Sequence, residues 1–298
     1  TLMSISRQNL SVVIVSYISE EVIYNCIESI PKDINILIVD NSGNKEFKLS
    51  IEEKYSNAKC IMSLENLGMG AGNNLGLKHS TTDFALILNP DVVLENNTID
   101  ELIIASKEIE SFAVIAPIIK SGININYKLF DENNKNENSI NPFKVKSVDG
   151  FAMFLNVKKI NQINNFKNFK FFDENIFMYL ENDDLCLRTK KNRQKIYVLK
   201  TSLINHLGAK TVNEMFTTEL ELSRNWHWSW SKFYYQKKHS GFFIALIKGL
   251  PLFIRSCIKY FFYILIRDKF KSKIYFNRAS GFYNSLINEK SWYRPRLD

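Results

Sequence analysis

The chain reads as an α/β protein whose core is a mostly parallel sheet flanked by helices. Short β-branched apolar runs alternate with segments of helical period, the order that builds strand–helix–strand units. Clusters of Asp, Asn and Gly fall at the ends of those runs, where open α/β sheets hold their ligands. A third observation sets the last quarter apart: it is apolar, basic and helical in pattern, an extension to the sheet domain.

Ser11-Val-Val-Ile-Val-Ser16 is a buried-strand run, followed by Val22, Ile23, Cys26, Ile27 and Ile30 at helical spacing up to Pro31. Ile34 to Asp40 is a second buried strand, closed by the turn Asp40-Asn-Ser-Gly43. The pattern then gives a helix over Phe47 to Tyr55, a weak strand over Lys59 to Leu64, a Gly/Asn-rich loop and helix start over Asn66 to Gly76, and a strand over Asp83 to Leu88. A helix at Thr98 to Glu110 and a strand at Phe112 to Ile118 continue the alternation. From Ser121 to Ser147 periodicity is lost, and the Asn/Glu/Lys-rich stretch from Asp131 to Asn141 reads as a mobile loop. Regular structure is expected again at Val148 to Val157, as a helix within Asp173 to Lys191, and as two short strands, Ile196 to Leu199 and Leu203 to Asn205.

Of 298 residues, 45% are hydrophobic and 23% charged, ample for a packed core. The four cysteines, Cys26, Cys60, Cys186 and Cys257, lie far apart. That spacing argues against a disulfide framework and a zinc site, and favours a reducing, cytoplasmic setting. Thr1 to Leu10 has no long apolar core, so no secretory leader is expected. The net charge of +8 is uneven: Trp226 to Asp298 carries 14 Lys/Arg against 3 Asp/Glu, while the remainder is slightly acidic. Such asymmetry points to an anionic partner.

Several constellations can carry chemistry. Asp40 at a strand end can accept the N3–H of uracil or thymine, or can simply close its own turn. In Asn66-Leu-Gly-Met-Gly-Ala-Gly-Asn-Asn-Leu-Gly76, glycines admit a ligand to the backbone and a helix start attracts phosphate; the alternative is a helix packed tightly on the sheet. Asn89-Pro90-Asp91 offers a strand-end carboxylate for a hard divalent cation that grips two phosphates. Between Phe172 and Arg188, aromatics interleave with Glu181, Asp183 and Asp184, a setting that raises a carboxyl pKa and suits a general base; the alternative is a solvated helix face with an Asp184–Arg188 pair. His206 can ligate a metal or meet a phosphate, although a lone His is more often structural.

In this order the strings resemble the family 2 glycosyltransferases, in particular the rhamnosyltransferase-like branch that builds surface polysaccharides. The strings are Val12 to Tyr17, Ile38 to Ser42, Asn66 to Asn74, Leu88 to Asp91, Asp149-Gly150, Phe172 to Glu174, Glu181 to Arg188 and His206. The resemblance implies a GT-A (Rossmann-like) fold over residues 1–225, with residues 226–298 as the helical region, and inversion at the anomeric carbon. It implies that Ser16, Tyr17, Asp40, Asn66, Gly70, Asn73, Asn74 and Asn89 lie at a dTDP- or UDP-linked sugar donor. Asp91, with His206, would hold Mg2+ or Mn2+. Asp149, Gly150 and Asn182 would face a glycan or polyprenyl-diphosphate-linked acceptor. The family pattern has an Asp as base where this chain has Asn182, which cannot take a proton. Glu181 is then the first substitute and Asp184 the second. The departure also leaves room for a catalytically inactive nucleotide-sugar-binding protein.

Gly241 to Ile266 is apolar but is broken by Lys248, Arg255 and Lys259, too interrupted to span a bilayer. These cations are spaced to share one helical face. With Trp226, Trp228 and Trp230 nearby, the segment suits an in-plane helix on an anionic membrane, at the inner face of the cell membrane. The tail carries no nucleic-acid-binding motif, so nucleic acid is not an expected partner.

Overall fold

A computed structural model describes residues 6–120, 125–131, 141–162, 171–206 and 217–295. The chain divides into two compact units: residues 1–173 with 182–211, and residues 174–181 with 212–298.

The first unit opens with a 3-10 turn, Arg7–Asn9, and runs β1 (Leu10–Ser16), α1 (Glu20–Glu28), β2 (Asn35–Asp40), α2 (Lys45–Lys54), β3 (Ala58–Met62), α3 (Gly68–His79), β4 (Phe84–Leu88), β5 (Val92–Leu94), α4 (Thr98–Glu108) and β6 (Val114–Ile119). It continues with β7 (Tyr127–Lys128), β8 (Phe143–Lys144), β9 (Ser147–Val148), β10 (Ala152–Asn156), α5 (Val157–Asn161), α6 (Glu181–Lys191), whose first residue, Glu181, falls in the second unit, and β11 (Ile196–His206). The main sheet has the order β3-β2-β1-β4-β10-β6-β11-β5, with β8 beside β11. The first four strands are parallel, whereas β10 runs antiparallel to both its neighbours, and β5 and β8 run antiparallel to β11. The parallel half therefore carries the expected topology, and the sheet as a whole is mixed.

Alternation along the strands feeds two cores. Val12 and Ile14 of β1 join Ile36, Ile38 and Leu86 against Ile23 of α1, Ile51 of α2 and Leu102 of α4. Val13 joins Leu37, Ile87 and Met153 against Leu77 of α3 and Leu185 of α6. Burial on both faces explains why the strands read as continuous apolar runs. Register then aligns the strand ends: Ser16 lies opposite Asp40, and Ile14 opposite Leu88.

Three expectations shift. The two short strands after residue 195 are one strand, β11, with an irregularity between Leu199 and Leu203. The helix expected within Asp173 to Lys191 begins only at Glu181, because Tyr179 (φ 71°) and Leu180 (φ 69°) are left-handed and cannot propagate a helix. The aperiodic stretch contains β7 and β9, which pair with each other, and β8; its centre, 132–140, lies outside the described residues.

The second unit holds α7 (Thr217–Ser240), α8 (Phe242–Leu265) and α9 (Lys269–Leu286). Helix α7 runs unbroken through residues 225 and 226. Gly281 of α9 lies so close to α7 that a Cβ there would sit 2.1 Å from the Trp226 carbonyl oxygen, so only glycine allows this approach. The expected membrane-flanking role fails for two tryptophans. Trp226 and Trp230 are buried, their indole N–H groups donating to Ser280 Oγ (3.2 Å) and to the Glu289 carbonyl (3.0 Å); Trp228 is exposed. No described helix is long and apolar enough to cross a membrane.

His227 is fully buried, stacked on Phe177 with Nε2 2.8 Å from the Tyr293 carbonyl. Burial pushes its pKa down to about 3. The unfolded chain therefore binds the proton more readily between about 3 and the ordinary value of 6.5. Stability is complete above 6.5 and is lost as pH falls through that window. Urea midpoints of wild type and His227→Gln, measured from pH 7.5 to 4.5, should converge at low pH; parallel curves would show that His227 does not set the acid limit.

Candidate functional site

The ends of β1, β2 and β4, the start of α3 and the end of β11 bring most of the expected residues together within the first unit. Strand β4 stops at Leu88, and the chain turns through Asn89, Pro90 and Asp91 into β5, which pairs with β11 so that Val92 faces His206. This pairing explains why residues 115 positions apart meet: His206 Nε2 lies 3.4 Å from Asp91 Oδ2, and its ring stacks on Phe151 at 4.2 Å. Asp91 is buried, yet its Oδ1 has no hydrogen-bond partner. Asn89 Oδ1, Asn73 Oδ1 and Asn41 Oδ1 are likewise buried and unpartnered. Buried acceptors are normally satisfied; three of these oxygens directly follow strands, Asn41 after β2 and Asn89 and Asp91 after β4, while Asn73 lies on α3, and a cation or donors on a ligand would satisfy them.

A hard divalent cation fits this chemistry. Among the described residues no group of three or more His, Cys, Asp or Glu gathers to hold a metal, so Asp91 and His206 would be its protein ligands. Mg2+ and Mn2+ tolerate that, because phosphate and water supply the other positions. Cys26 donates through Sγ to the Asn89 carbonyl at 3.6 Å; burial and then Asp91 push its thiol pKa far up, leaving it protonated and inert.

Several expected site residues have structural work. Asp40 is buried, and both its oxygens close the turn: Oδ1 accepts from the Ser42 N–H (3.1 Å) and Oδ2 from the Asn44 N–H (2.9 Å), with Ser42 Oγ donating to both. The turn reading is thus the one observed, and the neighbouring Asn41, missed in the sequence, presents the unpartnered oxygen while its Nδ2 donates to the Gly68 carbonyl. Asn74, expected at the donor, clamps α3 to Phe172: Nδ2 donates to the Phe172 carbonyl (2.8 Å) and Oδ1 accepts from its N–H (3.0 Å). Asn66 Oδ1 accepts from the Gly68 N–H at the start of α3, where Gly70 is buried. Further along α3, a Cβ at Gly76 would lie 2.4 Å from Val13 and one at Gly72 2.8 Å from Val15, so those two glycines serve helix–sheet packing. Ser16 is buried at the end of β1, its carbonyl accepting from the Asn41 N–H, and Tyr17 is half-buried beside it.

Asp184, the second candidate base, is engaged in an ion pair. It is fully buried, with Oδ2 2.7 Å from Arg188 Nε, and Arg188 also donates to the Phe171 carbonyl. A carboxylate locked in a buried ion pair is not a free base. Asn182 is a strut: Nδ2 donates to the Val148 carbonyl at 2.7 Å, and its Cβ sits 3.3 Å from where a Gly150 Cβ would be. Beside it, burial pushes the Asp149 carboxyl up, Lys128 and His206 pulling it back and Asp183 adding to the rise. Asp149 thus has a base's electrostatics in the position expected of an acceptor contact. Glu181 heads α6, directly after the left-handed pair.

The glycosyl transferase family 2 model matches residues 11–182. The chain belongs to this family. A hexosyltransferase of low-salt glycan biosynthesis, Agl10 of Haloferax volcanii, is 27% identical over 69% of this chain and 69% of its own. Among solved structures, the fold is similar to GalNAc-T7 crystallised with UDP, GalNAc and Mn2+ (TM-score 0.53, 13% identity, 74% of this chain). This chain spans about half of that protein, 51%. It is similar also to S. aureus TarS 1–349 in complex with UDP (TM-score 0.52, 18% identity, 96% of this chain and 93% of that one). These likenesses establish the α/β fold, and family membership makes the protein a glycosyltransferase.

Two neighbouring asparagines separate fold from binding. Asn74→Ala leaves the buried Phe172 N–H and carbonyl unpaired and should cost roughly 1–3 kcal/mol for each. Asn73→Ala removes an unpartnered oxygen and should leave the urea midpoint close to wild type. Equal losses in both variants would make Asn73 structural.

Proposed function

We propose that the protein transfers a hexose from a nucleotide diphosphate donor to a glycan or lipid-linked acceptor in surface-glycan synthesis, with inversion at the anomeric carbon. The observation that carries this reading is the buried, unpartnered Oδ1 of Asp91 beside His206 at the end of β4. The hexosyltransferase of glycan biosynthesis among its relatives, and UDP in similar structures, support the donor class. A dTDP-linked rhamnose donor is the finer form of the proposal. The exposed apolar side of α8 supports peripheral attachment to the inner face of a membrane.

In this reading the nucleobase lies by Tyr17 and the turn that Asp40 closes, and Asn41, Asn73 and Asn89 accept from donor hydroxyls. Asp91 and His206 would hold the divalent cation, which when bound would supply positive charge to the leaving diphosphate. The acceptor oxygen attacks the anomeric carbon opposite the diphosphate and loses its proton to a carboxylate. Glu181 is the base that the sequence selects. Asp149 is the second reading, favoured by its burial-raised carboxyl next to the Asn182 strut.

Calorimetric titration with UDP and dTDP should give Mn2+-dependent binding that EDTA abolishes and Asp91→Ala loses; a folded wild type that binds neither nucleotide would sink the donor site. Transfer assays with Glu181→Gln and Asp149→Asn should show one variant losing about 100-fold or more in rate with donor affinity kept. Donor binding by the wild type without transfer or donor hydrolysis would instead identify a nucleotide-sugar-binding protein.

A further inference from the structure

The second unit contains a cavity of about 260 Å³ among α7, α8 and α9. Five cations line it: Lys232 of α7, Lys248, Arg255 and Lys259 of α8, and Arg278 of α9; no Asp or Glu does. No ion pair joins any of the five to a carboxylate among the described residues. Their contacts are with neutral groups instead. Lys248 Nζ lies 3.4 Å from Gln236 Oε1, Lys259 Nζ donates to Tyr275 Oη at 3.0 Å, and Arg278 Nε donates to Asn225 Oδ1 at 2.6 Å. The Lys259 hydrogen bond, with Lys259, Arg278 and Arg255 charges behind it, holds the Tyr275 phenol below its usual pKa despite burial. Five like charges around one hollow repel each other and gain from a multivalent anion.

The basic stripe of α8, expected to lie outward on a membrane, lines this hollow. Residues three or four apart share a helical face, so Ile244 and Phe262 continue the row of Lys248, Arg255 and Lys259 at its two ends. On the adjoining flank Phe243 (78% exposed), Ile247 (72%), Ile258 (63%) and Leu265 (80%) are uncovered. An apolar surface of this extent edged by cations matches a lipid surface, with acyl chains against the flank and headgroup phosphate beside the stripe. The volume suits a headgroup rather than a whole lipid.

We propose that the hollow between α7, α8 and α9 binds the phosphate headgroup of a membrane lipid, with the exposed apolar flank of α8 in the acyl layer. This site lies wholly in the helical unit and does not depend on the transferase reading.

Sedimentation of the full chain with phosphatidylcholine vesicles carrying either phosphatidic acid or phosphatidylserine, at equal surface charge, tests it. Binding should favour phosphatidic acid. Lys248→Ala/Arg255→Ala, both at exposed positions, should weaken it about tenfold or more. The control Lys269→Ala/Lys273→Ala removes two exposed α9 charges away from the cavity and should change it little. Lys248→Arg/Arg255→Lys should retain binding. Equal binding to both lipids with equal loss in both alanine pairs would reduce the site to diffuse charge and overturn the proposal. So would full retention in Lys248→Ala/Arg255→Ala, absence of vesicle binding, or glycerol phosphate in free solution binding as tightly as the phosphatidic acid vesicles.

Discussion

A buried carboxylate with one unpaired oxygen is the constraint around which the first unit is arranged. Leaving Asp91 Oδ1 without a partner is costly in isolation, since a desolvated acceptor gives up its water for nothing. The sheet nevertheless holds it there. Strand β4 ends at Leu88, buried Pro90 stiffens the exit, and the antiparallel β5–β11 pairing turns the chain back so that His206 stands over it. Three amide oxygens repeat the pattern at Asn41, Asn73 and Asn89. Acceptors left unsatisfied after β2 and β4, with another on α3, are what a ligand's polar groups would complement, and local cost at a site is the usual exception to consistency elsewhere.

That cost is carried by a closely fitted scaffold. Glycines at positions 72 and 76 let α3 approach Val15 and Val13, and the Asn74 amide ties α3 to Phe172 across 98 residues. The Asp40 turn fixes Asn41 between β2 and Gly68. Residues that look like ligand contacts in the sequence thus become the supports of residues that are free to make contacts.

This division marks what sequence could reveal. Strands β1, β2 and β4 were legible because burial on both faces demands β-branched runs, and Asp91 was legible because it follows such a run. Asn73 and Asn74 were indistinguishable: adjacent residues on a helix point in different directions, and only the tertiary neighbour, Phe172, decides which amide is used. The Asp184–Arg188 spacing announced an ion pair but not its burial, which comes from packing on the second core. Strand β5 was too short at three residues to show a period, and the left-handed Tyr179 and Leu180 gave no glycine signal for the helix start at Glu181. The ordered set of eight strings that resembles the family was specific because its order survives these local ambiguities.

The same limit explains the helical unit. Charge and hydropathy located an apolar helix with a basic stripe, and a stripe on an isolated amphipathic helix must face water or headgroups. In a bundle a third surface exists, the hollow between neighbouring helices. Trp226 and Trp230 turn inward to build that bundle, with Gly281 setting the approach of α9 to Trp226. The stripe then faces the hollow while the apolar side remains uncovered. Attraction to an anionic surface would come from charge spread anywhere over the tail, whereas five cations around one cavity concentrate it at a point. The difference between a sticky surface and a binding site therefore rests on helix packing, which composition alone cannot encode.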